Sequence, residues 1–473
     1  METKKTVRLV TTVTVMVYAG VMIGWHLYSP GRNIVMQAPG ADRRPPETAR
    51  RADDVRIGEF FMRYGDVTST LTGRWTCFRG STFTNIVQAS EDVTPGEEDY
   101  TVVWSVDTGE GHAAPVIYDG RVYFLDYDEG LSSDMLRCFA LESGKELWRR
   151  WYRVPMKRNH GFSRTAPVVS DDYIITLGPQ GHVMCCHPVS GDMLWSLDLQ
   201  KAFKTEVPFW YAGQCPRVDG DIFVVAPAGE ETLLAGIDCR SGDVVWKTPN
   251  DVGFKMSHSS VTPMTLNGKR TYVYAGVGGV CGISAEKDDR GTLLWSAVKW
   301  RPSVIAPSPL QLSANSIFLV AGYGAGGALL TVHRAGSTWS ASIREQYKPN
   351  EGLSSEQQTP ILYKDIIISI MPKDGGSLRD KLVVYSPSNL HAPLWSSGAD
   401  ERFGLGPYMV INDCLFAFKD DGELYVYDIQ PPKMNLLKKQ RIMDGVDAWG
   451  PMAYADGKLI LRDAHTVKCL KII

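Results

Sequence analysis

Two kinds of hydrophobic pattern divide this chain. Near its start, residues 9–25, "LVTTVTVMVYAGVMIGW", run without a single charge. From about Trp75 onward, short runs alternate apolar and polar residues and are separated by Asp-Gly, Asn-Gly and Ser-Gly pairs. A period of two turns one face of a strand towards a core, and an Asx-Gly pair between two such runs marks a tight hairpin. The second region therefore predicts many short antiparallel strands and little helix.

The runs also repeat. A proline precedes an apolar run and a tight turn in "HAAPVIYDGRVYF", "RTAPVVSDDYIITL", "GQCPRVDGDIFVV", "SVTPMTLNGKRTYVY", "APSPLQLSANSIFLV", "QQTPILYKDIIISI", "GLGPYMVINDCLFAF" and "AWGPMAYADGKLIL". These prolines, from Pro115 to Pro451, are spaced by 52, 49, 47, 46, 51, 47 and 44 residues. A small turn followed by an apolar strand ending in tryptophan closes most units, as in "LESGKELW" at Trp148, "PVSGDMLW" at Trp195 and "CRSGDVVW" at Trp246. Trp295, Trp339 and Trp395 continue the series, and the copy near "KMNLLKKQ" lacks its tryptophan.

Each unit predicts four antiparallel strands in about 45–50 residues, the size of a propeller blade. A lone four-stranded sheet leaves both faces wet, whereas a closed ring covers them. The tryptophans fall on the outermost strands, where a large ring fills the space between diverging sheets. The last unit, ending in "HTVKCLKII", is one strand short, and "TVVWSVD" at residues 101–107 is an outermost strand without a blade. The latter is expected to complete the eighth blade, since an open ring would expose sheet edges. The fold class is thus all-β: an eight-bladed β-propeller of four-stranded antiparallel blades with an N-terminal transmembrane anchor.

Lys4, Lys5 and Arg8 precede the uncharged stretch, which places the remainder outside the cytoplasm if the segment spans a bilayer. A cleaved signal peptide is the rival reading, because "VYA" at residues 17–19 fits a small-residue cleavage site. Residues 1–28 are taken as the anchor or signal peptide. Residues 29–74, rich in proline, arginine and glycine at their start, are taken as a flexible linker, with "VRIGEFFMRYG" as a short helix. The propeller occupies residues 75–473. The whole chain carries a net charge of −3, from 50 basic and 53 acidic residues, which gives no electrostatic case for nucleic acid.

The "SGKELW", "SGDMLW" and "SGDVVW" units, with "APV"-type strands about twenty residues later, resemble the PQQ-repeat propellers of the quinoprotein-dehydrogenase-like superfamily. "WTCFRG" at residues 75–80 is similar to a segment of its membrane-associated bacterial members, BamB-like in character. The resemblance implies a single-pass protein of a bacterial cell membrane with its propeller on the periplasmic side. It implies either a non-catalytic scaffold or a quinone enzyme. Catalytic members hold PQQ at one mouth with a calcium ion, an aspartate base, an arginine, a stacking tryptophan and often a vicinal disulfide.

The mouth residues are sought just before each proline, where the chain enters the innermost strand. They are His112, Arg164, Trp210, Tyr211, Gln214, His258, Glu356, Gln357, Arg402, Asp447 and Trp449. Arg164 and Arg402 could together hold an anion, Trp210 or Trp449 could stack on a flat ligand, and Glu356 and Asp447 could bind a hard cation. A wetted collar or a protein contact surface needs the same residues. His112, His160 and His258 could gather at this mouth, but no HxH or HExxH spacing marks a metal centre. "GYGAGG" at residues 322–327 lacks the Lys-Ser/Thr of a phosphate loop and reads as a hairpin turn. "DGGSLRDK" at residues 374–381 is a longer loop in the sixth blade.

Cys185 and Cys186 are adjacent, yet they fall on a third strand rather than at a mouth. Neighbouring side chains of a regular strand point to opposite faces, so a vicinal disulfide is not expected. The function expected is a membrane-tethered extracytoplasmic scaffold for a protein complex, with no catalytic residues, no metal and no cofactor. The alternatives are a PQQ- and calcium-dependent oxidoreductase and a propeller that binds a small ligand such as a carbohydrate.

Overall fold

The computed structural model describes residues 2–28 and 55–473. The first unit contains one helix, Glu2–Tyr28. Its Lys4–Leu27 stretch, with a mean hydropathy of 1.7, is long and apolar enough to cross a membrane. Its threonines suit such a setting. The hydroxyls of Thr11, Thr12 and Thr14 donate to carbonyls one turn back, at 2.8, 2.8 and 2.9 Å, so each polar group is satisfied within the helix. Part of the expected linker, residues 29–54, lies outside the described residues.

The second unit, Arg56–Ile473, is an all-β ring of eight sheets. Blades 1 to 8 begin at Val116, Val168, Arg217, Thr262, Leu310, Ile361, Tyr408 and Ala453, at or beside the repeating prolines. Asp119-Gly120, Asn267-Gly268 and Asp456-Gly457 have positive φ at both residues, as two-residue hairpins require. Blade 8 is completed by Thr101–Asp107, which pairs antiparallel with Thr466–Lys471. The fully buried Arg462 adds a second tie across the closure, donating to Leu125 O at 2.8 Å and Ala113 O at 3.3 Å.

The repeated turn and tryptophan form a lock between blades. Trp104 of blade 8 donates its Nε1–H to Leu141 O of blade 1, Trp148 donates to Pro188 O of blade 2, and Trp195 donates to Cys239 O of blade 3. Each of these carbonyls lies just before the next blade's Ser-Gly turn. A Cβ on Gly144, Gly191 or Gly242 would stand 2.6, 2.9 or 2.8 Å from the docked indole, and all three glycines have positive φ. Glycine is required there twice over, for the backbone and for the ring. In blades 3 and 4 the residues opposite the tryptophans are Gly236 and Gly282. There the indoles lie over their own strands, and the buried Nε1 atoms of Trp246 and Trp295 lack a partner.

Two features depart from the sequence reading. Phe60–Arg63, within the expected helix and linker, is a strand that pairs with Trp148–Trp151 at the outer edge of blade 1. Cross-strand packing decides this: Phe60 stacks on Trp151 at 5.6 Å, and Arg150 donates to Gly58 O at 2.8 Å. Residues 56–74 therefore belong with the propeller, not with a linker.

Second, residues 74–87 cross the central channel. Arg74–Trp75 pairs with the inner strand of blade 1, and Ile86–Val87 runs parallel to the inner strand of blade 7. Between them the buried Arg79 donates to Thr359 O at 2.7 Å and Pro360 O at 3.3 Å, on blade 6. The Arg217 guanidinium of blade 3 sits 3.7 Å over the Phe83 ring. The crossing segment thus braces the ring from inside.

All nine cysteines are free and buried, and the adjacent pair is split as expected. Cys185 packs with Phe223 and Ile237 of blade 3, whereas Cys186 packs with Leu136 and Trp148 of blade 1.

Candidate functional site

Strands alternate in direction around a blade. The loops before the innermost strands and those between second and third strands therefore meet at one mouth. There they enclose a pocket of about 350 Å³. Eight of the eleven expected collar residues line it: His112, Arg164, Trp210, His258, Glu356, Gln357, Asp447 and Trp449. His160 joins them, so the three histidines do gather. Phe78 of the crossing segment lines the pocket's inner end.

Three expected residues are elsewhere. Gln214 is buried and brackets Ala226 of its own blade, donating to the carbonyl at 3.1 Å and accepting from the N–H at 2.8 Å. Tyr211 turns its hydroxyl to the carbonyl of Lys157. Arg402 is exposed and donates to the carbonyl of Arg379, so it does not face Arg164 across the mouth.

Tyr323 and Lys373 were not singled out from the sequence, and both line the pocket. They sit on the loops between second and third strands of blades 5 and 6. The "GYGAGG" stretch is the hairpin turn expected, and its tyrosine is the part that faces the pocket. Tyr323 stacks on Trp210 at 5.6 Å, and the Lys373 ammonium lies 5.0 Å from the Tyr323 ring centroid. On the opposite wall His112 stacks on Trp449 at 3.5 Å.

Arg164 occupies the space between these walls. Its Nε donates to Trp210 O at 2.7 Å, its Nη2 donates to Asn159 O at 2.6 Å, and the guanidinium lies 5.9 Å from the Trp449 ring centroid. Burial lowers its pKa to about 10. His258 is brought down to about 4, first by burial and then by the Arg164 charge. Burial, with the charges of Arg462 and Arg164, holds His112 well below its ordinary value. Both imidazoles are neutral at pH 7. His112 Nδ1, His258 Nε2 and Glu356 Oε2 are buried atoms without a partner. The other Glu356 oxygen faces Lys373 at 3.3 Å.

A hard cation needs six to eight converging oxygens. Here Glu356 already holds Lys373, and among the described residues no three of His, Cys, Asp and Glu converge to hold a metal ion. The residues present do not fit calcium, and no quinone chemistry is assigned to them.

The fold has solved counterparts. BamB from Moraxella catarrhalis is similar at a TM-score of 0.51 and 14% identity, over 79% of this chain and 98% of that one. A europium-containing methanol dehydrogenase is similar at 0.56 and 12%, over 82% and 89%. At such identities the likeness is one of fold. No curated protein matches the sequence. The family model described as outer membrane protein assembly factor BamB matches residues 93–206, 132–252 and 212–430. These matches span most of the propeller, and the chain belongs to that BamB-like family of PQQ-repeat propellers.

Proposed function

We propose that this chain is an extracytoplasmic binding propeller, held at a membrane by its N-terminal helix, that docks a partner protein on the mouth bearing the pocket. The observation that carries this reading is Phe209. It is 79% exposed on the rim, beside an apolar groove of about 470 Å³ lined by Val207, Pro208, Met256, Val304 and Ile305. An exposed aromatic next to a groove is the arrangement that anchors protein interfaces. The family's description as an assembly factor supports the same reading.

The test places a photo-crosslinking amino acid at Phe209 of the full chain in its native membrane. A control carries it at the exposed Lys364, on the opposite mouth. A discrete adduct from position 209 and none from 364 is expected. Equal or absent labelling at both positions would remove the mouth as the docking face.

A further inference from the structure

We propose that the mouth pocket is a metal-free binding site for a carboxylate whose carrier also bears a hydroxyl or ammonium group. Arg164 supplies the charge. Three backbone carbonyls, those of Trp210, Asn159 and Gly161, hold its Nε and Nη2 at 2.7, 2.6 and 3.4 Å. Among the described residues no carboxylate lies within ion-pair distance of it. A guanidinium fixed by carbonyls keeps its full charge, and in a site of low dielectric that charge is costly without an anion. Nη1 makes no hydrogen bond among the described residues, so the fork retains donors for a ligand.

Two further observations point to the same ligand. His112 and His258 flank Arg164, and each has a ring nitrogen without a partner. In each neutral ring the N–H is directed to backbone carbonyls, that of Asp447 for His112 and those of Trp210 and Tyr211 for His258, so the unpartnered nitrogen accepts from an O–H or N–H of the ligand. Glu356, 5% exposed, has one oxygen on Lys373 and leaves Oε2 to accept from an O–H or N–H. The pocket thus offers the Arg164 donors for a carboxylate, with acceptors at Glu356 and on the two imidazoles for a hydroxyl or ammonium group. A hexuronate, a hydroxy acid or an amino acid carries that pair of groups, and so does an acidic residue of a docked protein. The first source stands apart from the docking reading, and the second rests on it.

The experiment titrates the full chain in detergent and follows the fluorescence of the pocket tryptophans. The probes are sodium D-glucuronate, D-glucose as its neutral counterpart, and the capped peptide acetyl-Gly-Asp-Gly-amide. Saturable binding of glucuronate but not glucose is expected, and it should weaken roughly tenfold or more in Arg164→Gln and less in Arg164→Lys. His258→Gln, a smaller change, should weaken it as well, and thermal melting of each variant checks that it is folded. Binding of the peptide without glucuronate assigns the carboxylate to a partner protein. If neither probe binds up to roughly 10 mM, or if folded Arg164→Gln binds as well as the wild type, the proposal falls. Crosslinking at Phe209 with no probe binding would sink this inference alone, and glucuronate binding without crosslinking would sink only the docking reading.

Discussion

The indole of Trp104 donates to the carbonyl of Leu141 at 2.8 Å, although the two residues belong to the last and the first blade. The strand that carries Trp104 also pairs with Thr466–Lys471, so one segment both completes a sheet and pins the ring shut. Trp104→Ala removes a buried ring and should cost about 3–5 kcal/mol. Gly144→Ala places a methyl 2.6 Å from that ring at φ +67° and should destabilise too, through strain. Scanning calorimetry should show a Tm lowered by several degrees in both, and almost no change in Leu194→Ala, whose side chain is exposed.

Asp134 is buried between the hydroxyls of Tyr152 and Ser163, each at 2.9 Å. Burial raises its pKa to about 7, against the two hydrogen bonds, which lower it. The folded state therefore binds this proton more tightly than the unfolded chain does. Stability from this group is present below about pH 4 and is lost as pH rises to about 7, at up to about 1.4 kcal/mol per pH unit. Asp134→Asn keeps the hydroxyl partners and should melt higher than wild type at pH 8, with the gap closing at pH 5.

His258 has the opposite sign. Its folded pKa, about 4, lies below the ordinary histidine value. Its contribution is complete above about pH 6.5 and is lost as pH falls towards 4. His258→Gln should therefore flatten the acid side of the Tm profile in that window. An unchanged acid limb would show that His258 is not held neutral.

All nine thiols are buried, and burial raises the pKa of Cys186 to about 12. Native protein should resist iodoacetamide at pH 8, whereas protein unfolded without reductant should take up nine labels. A peptide with both Cys185 and Cys186 alkylated would confirm the split pair. Seven labels would indicate a bridge.

Arg79 holds the crossing segment through carbonyls of blade 6. Arg79→Ala should lower Tm and also open the segment to limited proteolysis between Phe78 and Thr84. Loss of stability without new cleavage there would mean that the segment is held by its two end strands alone.

The ring was legible because its information is local. Proline, Asx-Gly and Ser-Gly-x-x-x-Trp recur in every few dozen residues, and each has a fixed place in one blade. The brace was not legible, because its contacts are distant: Arg79 and Thr359 are 280 positions apart. The strand Phe60–Arg63 is too short to announce itself, and it takes its form from Trp151 and Arg150 across the edge. Counting back from each proline located the mouth but not every orientation. Gln214 satisfies Ala226, and a longer approach to Pro407 carries Arg402 away to Arg379. Tyr323 and Lys373 carry no such mark, because they lie between second and third strands rather than before an innermost-strand proline. Strand alternation brings the second-to-third-strand loops to the same mouth.

The edge strand Phe60–Arg63 gives the propeller a mechanical order of failure. A pull on the chain from its N-terminal side reaches this short strand first and can peel it from blade 1 one residue pair at a time. The load then passes to the brace anchored by Arg79, and only after that to Thr101–Asp107, which closes the ring. A four-residue strand added to the outside of blade 1 can thus detach without breaking any pairing among the four strands of each blade.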